Sequence, residues 1–313
     1  MNDKLTISTF ELFKMFPDQE SARLYLEKRL WPEGCRCPVC GIGDRVTARK
    51  NGFYRCNQCK EDFTVRTGTI FERSHVPLHK WLYAMYMLVT ARKGISSLQL
   101  SKEIDVTQKS AWFMLQRLRE ACGNDPTILS GVVEVDETYI GGKESAKHES
   151  KKLNAGRGAV GKTAVMGMRE RGGRVNAVVL NGTTSTEMLG HIFTNVQAGS
   201  TVCTDEHSSY QALPPLGLPL DIPAYDHQTV NHSAKEYVNG MAHTNGIESV
   251  WAVLKRGLHG VYHHASPKHI GRYVNEFAFR LNDGNVKRLT LARMDSFIKA
   301  CSGCRITYKE LIA

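Results

Sequence analysis

Three acidic residues stand where folding could gather them around metal ions: Asp136 in the β-branched run VVEVDETYIGG, Asp205 at the end of the apolar run TVCTDE, and Glu248 in HTNGIESVWAVLKRGLHGVY. Carboxylates brought together repel one another. With two Mg2+ ions between them the charge balances, and each ion can hold one reacting oxygen of a phosphodiester displacement. The cysteines offer another chemistry. Cys37-x-x-Cys40 and Cys56-x-x-Cys59 are separated by fifteen residues, and two such knuckles present four sulfurs as a tetrahedral cage for one structural zinc. Cys35 lies too close to Cys37 to share that cage, and Cys301-x-x-Cys304 has no second pair, so it reads as two buried thiols.

A third pattern fails on its context. Residues 156–163, GRGAVGKT, match the phosphate-binding loop G-x-x-x-x-G-K-[ST]. Such a loop works between a buried strand and a helix, because the phosphates sit on the helix amino terminus while the glycines let the backbone wrap them. Upstream lies the polar stretch KESAKHESKKLNA. Downstream, TAVMGMRERGGRVNAVVL gives two alternating runs joined at Arg171-Gly172-Gly173, which predicts a hairpin. The expectation is a basic loop leading into a strand, with no nucleotide bound.

The elements that must position the acids follow from periodicity. A strand carrying Asp136 near its end, the hairpin, a helix over 185–196, a strand ending at Asp205, and a helix with Ile247, Val250, Trp251 and Leu254 inward predict an α/β domain, a mixed sheet flanked by helices. On the last helix Glu248 and Lys255 lie two turns apart and share a face.

Ahead of this domain, two short amphipathic helices broken at Pro17, with Leu24, Leu26 and Leu30 on the second, are expected to pack against the cysteine segment, and the apolar positions from Leu78 to Val89 predict a core helix. GISSLQLSKEIDVTQKSAWFMLQRLREA then reads as a short helix through Ile104, a tight turn at Asp105-Val106, and a helix N-capped at Thr107 with Ala111, Met114 and Leu118 inward. That is helix-turn-helix punctuation. It would offer Gln108, Lys109 and Trp112 to DNA from the front, with Arg117 and Arg119 behind. A helical hairpin with a solvated charged face is the competing reading. The expected boundaries are a helical segment at 1–34, a zinc ribbon at 35–73, the helix-turn-helix region at 74–125, the α/β domain at 131–285 and a carboxyl-terminal tail at 286–313.

The 313 residues carry a formal net charge of +10 with the histidines neutral, an excess that favours a polyanionic partner such as nucleic acid. No run approaches the roughly twenty apolar residues of a membrane span, and the start MNDKLTISTF lacks the charged and apolar regions of a secretory signal. The chain therefore reads as cytoplasmic. His207, His243, His259, His263 and His264 read as phosphate contacts or solvated residues rather than as a catalytic set.

In order along nearly the whole chain, WPEGCRCPVCG, FYRCNQCKEDFTVRTGTIFERSHVPLHKWLYAMYML, DVTQKSAWFMLQRLRE, VEVDETYIGGKE, VCTDEHSSY and HTNGIESVWAVLKRGLHGVYHH resemble the DDE-type transposases of bacterial insertion sequences that carry an amino-terminal zinc ribbon, the ISXO type. The resemblance implies an RNase H-like α/β domain and Mg2+-dependent cleavage at the ends of a mobile element, followed by joining of the freed 3′ hydroxyl to target DNA. It implies inverted terminal repeats and target DNA as partners, a homo-oligomer on that DNA, and action at the bacterial nucleoid. It places the two catalytic aspartates at Asp136 and Asp205 and the third acid at Glu248. Asn245, one turn earlier, is the other candidate there, since some members use asparagine. Lys255 is then suited to grip a DNA phosphate. A zinc-ribbon, helix-turn-helix regulator with an inert sheet is the alternative, and it would need no divalent metal for its activity.

Overall fold

The computed structural model describes residues 5–123, 127–142, 144–153, 159–216, 223–230 and 243–313. They form two compact units, one from the described residues up to 123 together with those from 283 onward, the other from those between 127 and 282.

In the first unit, α1 (Thr9–Met15) and α2 (Gln19–Leu30) flank Pro17, and each begins with a capping box, on Ser8 and on Asp18. Leu26 is buried, whereas Leu24, expected beside it on the inner face, is exposed. Three short antiparallel strands follow, β1 (Val46–Ala48), β2 (Tyr54–Cys56) and β3 (Asp62–Phe63). Trp31, just past α2, meets the rings of Tyr54 and Phe63 edge-on at 5.2 and 6.1 Å, so the helix end packs on the ribbon. Then come α3 (Leu78–Thr90), α4 (Ser97–Glu103) and α5 (Gln108–Ala121). Asp105 turns the chain between α4 and α5 with φ 49°, and the Thr107 hydroxyl accepts from the Ser110 N–H to cap α5.

The second unit contains β4 (Val132–Ile140), β5 (Thr163–Glu170), β6 (Val175–Val179), α6 (Ser185–Asn195), β7 (Thr201–Thr204), β8 (Asp226–Thr229), α7 (Asn245–Gly257) and α8 (Ile270–Leu281). The sheet order is β6-β5-β4-β7-β8, antiparallel from β6 to β4 and parallel from β4 to β8, which is the RNase H-like arrangement. Alternation along the strands builds two cores. Val133, Val135, Met166 and Met168 meet Met188 and Ile192 of α6 on one face. On the other, Val165 and Ala177 meet Ile247, Trp251 and Leu254 of α7 with Tyr273, Val274 and Phe277 of α8. Each Val, Leu, Ile, Met or Phe among them, fully buried, contributes about 1.5–3 kcal/mol.

Two expectations are corrected here. Asp136 is not near a strand end but at the middle of the nine-residue β4. The stretch 286–313 is not a tail: α9 (Thr290–Ala300) buries Met294, Phe297 and Ile298 within the first unit, the Arg293 guanidinium donates to the Val89 carbonyl of α3, and α10 (Tyr308–Ile312) sets its Tyr308 ring against Phe113 of α5 at 5.5 Å. Of GRGAVGKT, residues 156–158 lie outside the described residues. Ala159 to Lys162 make a turn and Thr163 opens β5, so a strand follows where a phosphate loop needs a helix. Among the described residues no helix is long and apolar enough to cross a membrane.

Candidate active site

The site is set by an inequality between neighbouring strands. β7 has four residues and β4 nine. Their parallel pairing runs from Val132 opposite Thr201 to Glu134 opposite Cys203. Two residues farther on, at Asp136 and Asp205, β7 has ended, and the chain turns away with the His207 N–H donating to Asp205 Oδ1 at 3.0 Å. Asp205 thus stands in the gap where β4 has lost its neighbour. Asp136 reaches that gap from the face covered by α7, and Glu137 reaches it from the opposite face. Ligand oxygens of Asp136, Glu137 and Asp205 all lie within 4.8 Å of one another, each residue half-buried. Such a set fits a hard divalent cation, which takes oxygen ligands at ~2.0–2.6 Å.

Electrostatics agree with that reading. Burial pushes the Asp136 carboxyl up to about 6; the Trp251 N–H opposes the rise, while the charges of Asp205 and Glu248 add to it. Burial likewise pushes Glu137 up to about 7, opposed by the Tyr210 hydroxyl and reinforced by Asp205 and Asp136. Crowded carboxylates of this kind are costly without a counter-charge.

Helix α7 is pinned to β4 at two points. Glu134, 1% exposed, accepts from the Ile247 N–H through Oε2 at 3.0 Å and from Arg171 Nε through Oε1 at 3.1 Å. The N-cap Thr244 supplies no side-chain cap, so the sheet itself caps the helix. Gly246 permits this, since a Cβ there would lie 2.4 Å from Glu134 Oε2. One helical turn later, Trp251 Nε1 donates to Asp136 Oδ2 at 2.9 Å, and its ring lies over Gly167, the cross-strand partner of Asp136 on β5. Two residues of strand and four of helix advance by nearly equal lengths, about 6.6 and 6 Å. The carboxylates of Glu134 and Asp136 therefore match donors four residues apart on α7.

The other anticipated residues fall as follows. Glu248 is exposed in the first turn of α7; Thr244 Oγ1 donates to its Oε1 at 3.3 Å, and its charge is felt at Asp136, but it is outside the group within 4.8 Å. Asn245 opens α7 and is exposed, as is Lys255 two turns beyond Glu248. On α5, Gln108 and Lys109 are exposed, with Lys109 Nζ 4.5 Å above the Tyr308 ring. Arg117 is corrected: it is 7% exposed, and its guanidinium donates to the carbonyls of Ile306, Ile70 and Glu72, so it braces the fold rather than facing DNA. Arg119 is buried too. The residues not anticipated are Glu137, Glu134, Tyr210 and the pair Gly167 and Gly246.

In the ribbon, Cys37 and Cys59, and Cys40 and Cys56, bring their sulfurs to 3.6 Å. A tetrahedron with Zn–S bonds of ~2.3 Å has edges of about 3.8 Å, far beyond a disulfide bond, so the four sulfurs fit one structural zinc. Each knuckle turns on a left-handed residue directly after its second cysteine, Gly41 (φ 77°) and Lys60 (φ 61°). Backbone N–H groups, that of Cys59 first, lower the Cys56 thiol's proton affinity, while sharing of protons among the crowded sulfurs raises that of Cys59 and Cys40.

A zinc ribbon followed by an RNase H-like sheet that gathers acidic side chains beside its central strand defines the DDE class of transposase. Residues 128–282 match the ISXO2-like transposase domain and residues 17–62 the transposase zinc-ribbon domain, and the chain belongs to that ISXO2-like transposase family. A protein of Halobacterium salinarum, named as an uncharacterized protein in transposable element ISH50, is 31% identical over 261 residues, covering 78% of this chain and 85% of its own length. The cryo-EM structure of the simian T-cell lymphotropic virus intasome in complex with PP2A regulatory subunit B56 gamma is similar at a TM-score of 0.24 and 13% identity, over 64% of each chain, less than two thirds of that chain's length.

Proposed function

We propose that this transposase cuts DNA at the ends of an insertion sequence and joins the freed 3′ hydroxyls to target DNA, using Asp136 and Asp205 as metal ligands, with Glu248 and Asn245 on α7 completing the catalytic set. The observation that supports this most is the convergence of Asp136 and Asp205 beside the shortened β7. Bound Mg2+ would activate the attacking oxygen and neutralise charge on the leaving one. The chain's own residues do the placing: Glu134 and Trp251 fix α7 against β4, and Lys255, on the exposed face of α7 with Glu248, offers a cation to a DNA phosphate. Gln108 and Lys109 at the exposed start of α5 read the inverted repeats. Each element end needs its own catalytic site, which calls for a homo-oligomer on the DNA, acting at the nucleoid in the cytoplasm.

The test is cleavage of a labelled duplex carrying the DNA that flanks this protein's own gene, in Mg2+ and in EDTA. Wild type should cut only with Mg2+, and D136N and D205N should bind the duplex but leave it intact. Wild-type cutting rates in D205N would remove the assignment, and specific binding without any metal-dependent cutting would make the protein a regulator.

A further inference from the structure

Glu137 has no part in the set assigned above, and strand alternation puts it on the face of β4 away from α7. It is nonetheless closer to the two aspartates than Glu248 is to joining them: its carboxylate falls in the group within 4.8 Å, and that of Glu248 does not. A fully buried side chain holds it there. Tyr210, 0% exposed in the core beneath α6, directs its hydroxyl to Glu137 Oε1. One carboxylate oxygen is thereby fixed, and a carboxylate has a second to give. Tyr210 lies in the short helical turn Ser208–Ala212, which begins three residues after Asp205. A single turn of chain therefore carries one acid of the site and the group that aims another.

We propose that Glu137 is a direct ligand of the divalent metal, supplied from the opposite face of β4 to Asp136, and that Tyr210 is its positioning residue. This rests on the reading of Asp136 and Asp205 as metal ligands. The three carboxylates then enclose the ion from both faces of the sheet edge, and Glu248, on α7, is left to act on DNA or on a second ion.

Terbium(III) titration of the zinc-loaded full chain tests this without requiring turnover, because the Trp251 indole beside Asp136 sensitises the ion's emission. E137Q, nearly isosteric with the native side chain, should weaken terbium binding at least tenfold and add about one bound water by emission lifetimes in H2O and D2O, since water replaces a lost oxygen ligand. E137D should recover part of the affinity, and Y210F should weaken it by ~3–10-fold. Far-UV circular dichroism reports whether each variant is folded. Should E137Q bind as wild type does while D136N loses the ion, Glu137 is no ligand and the assignment of the aspartates stands. Unchanged binding in D136N and D205N as well would sink both.

Discussion

The indole N–H of Trp251 on α7 donates to Asp136 Oδ2 on β4 at 2.9 Å, with the ring seated over Gly167. This bond joins the helix bearing Glu248 to the strand bearing the first aspartate, and it opposes the rise in Asp136's proton affinity caused by burial. W251F keeps most of the ring and loses the donor. Asp136 should then titrate above about 6, and the acid limb of the pH–cleavage profile should move up by ~0.5–1 unit. An unmoved limb would mean that Asp136 is not the group whose ionisation limits the rate.

Stability should depend on pH and metal together. Asp136 and Glu137 titrate near 6 and 7 in the folded chain against ordinary values of 3.8 and 4.5. The folded state therefore holds protons that the unfolded state has released between about pH 4 and 7. Stability present below that window is lost as pH rises through it. A divalent cation binds the ionised forms, so its stabilisation should appear as pH rises. In thermal melts of the zinc-loaded protein, millimolar Mn2+ should raise the melting temperature of the α/β unit by ~3 °C or more at pH 8 and by almost nothing at pH 5. Equal shifts at both pH values would contradict the assignment.

Gly246→Ala sets two effects against each other. Alanine favours the helix by about 1 kcal/mol. Its Cβ would lie 2.4 Å from Glu134 Oε2, and Glu134 cannot withdraw without releasing Arg171 and the Ile247 N–H. The clash should win, with a net loss of ~2–3 kcal/mol in urea denaturation. A stabilised variant would show that the Glu134 cap does not hold α7.

Lys109 and Arg117 share a helix and should part company on substitution. Arg117→Ala removes the donor from two buried carbonyls and one half-buried one and should cost ~2–4 kcal/mol of stability. Lys109→Ala should leave the melting curve nearly unchanged and lower the slope of log affinity against log salt by about 1 for terminal-repeat DNA. The reverse pattern would restore Arg117 to the DNA interface.

What could be read in advance follows the range of the interactions. Asp205 after an apolar run, the inward set on α7 and the paired cysteines are local patterns, and each was legible in the sequence. Glu137 was not, although it adjoins Asp136, because alternation assigns it to the other face. Only the brevity of β7 beside β4, a property of two strands far apart in the chain, brings both faces to one gap. Glu134 reads as an ordinary strand residue until its partner, the Ile247 N–H more than a hundred positions away, is placed over it. Arg117 reads as a surface charge by its residue type, and it is buried because its guanidinium meets the carbonyls of Ile306, Ile70 and Glu72. Met294, Phe297 and Ile298 carry a helical repeat that was there to be seen in the supposed tail, but the helix α3 they pack toward lies two hundred positions earlier.

Because α9 and α10 close the first unit from the far end of the chain, the order of synthesis and the order of folding differ. A ribosome delivers α3 and α5 first, then the whole α/β unit, and only afterwards Arg293, which donates to the Val89 carbonyl, Cys301, whose carbonyl accepts from the Ile70 N–H, and Ile306, whose carbonyl accepts from Arg117. At ~5–20 residues per second that interval is roughly ten to forty seconds. During it the nascent chain can complete its α/β unit while the surface bearing Gln108 and Lys109 has no finished core beneath it. Translation that stops just after residue 282 therefore yields a chain holding every residue of the α/β unit, Asp136, Glu137 and Asp205 among them, and a first unit without α9 and α10.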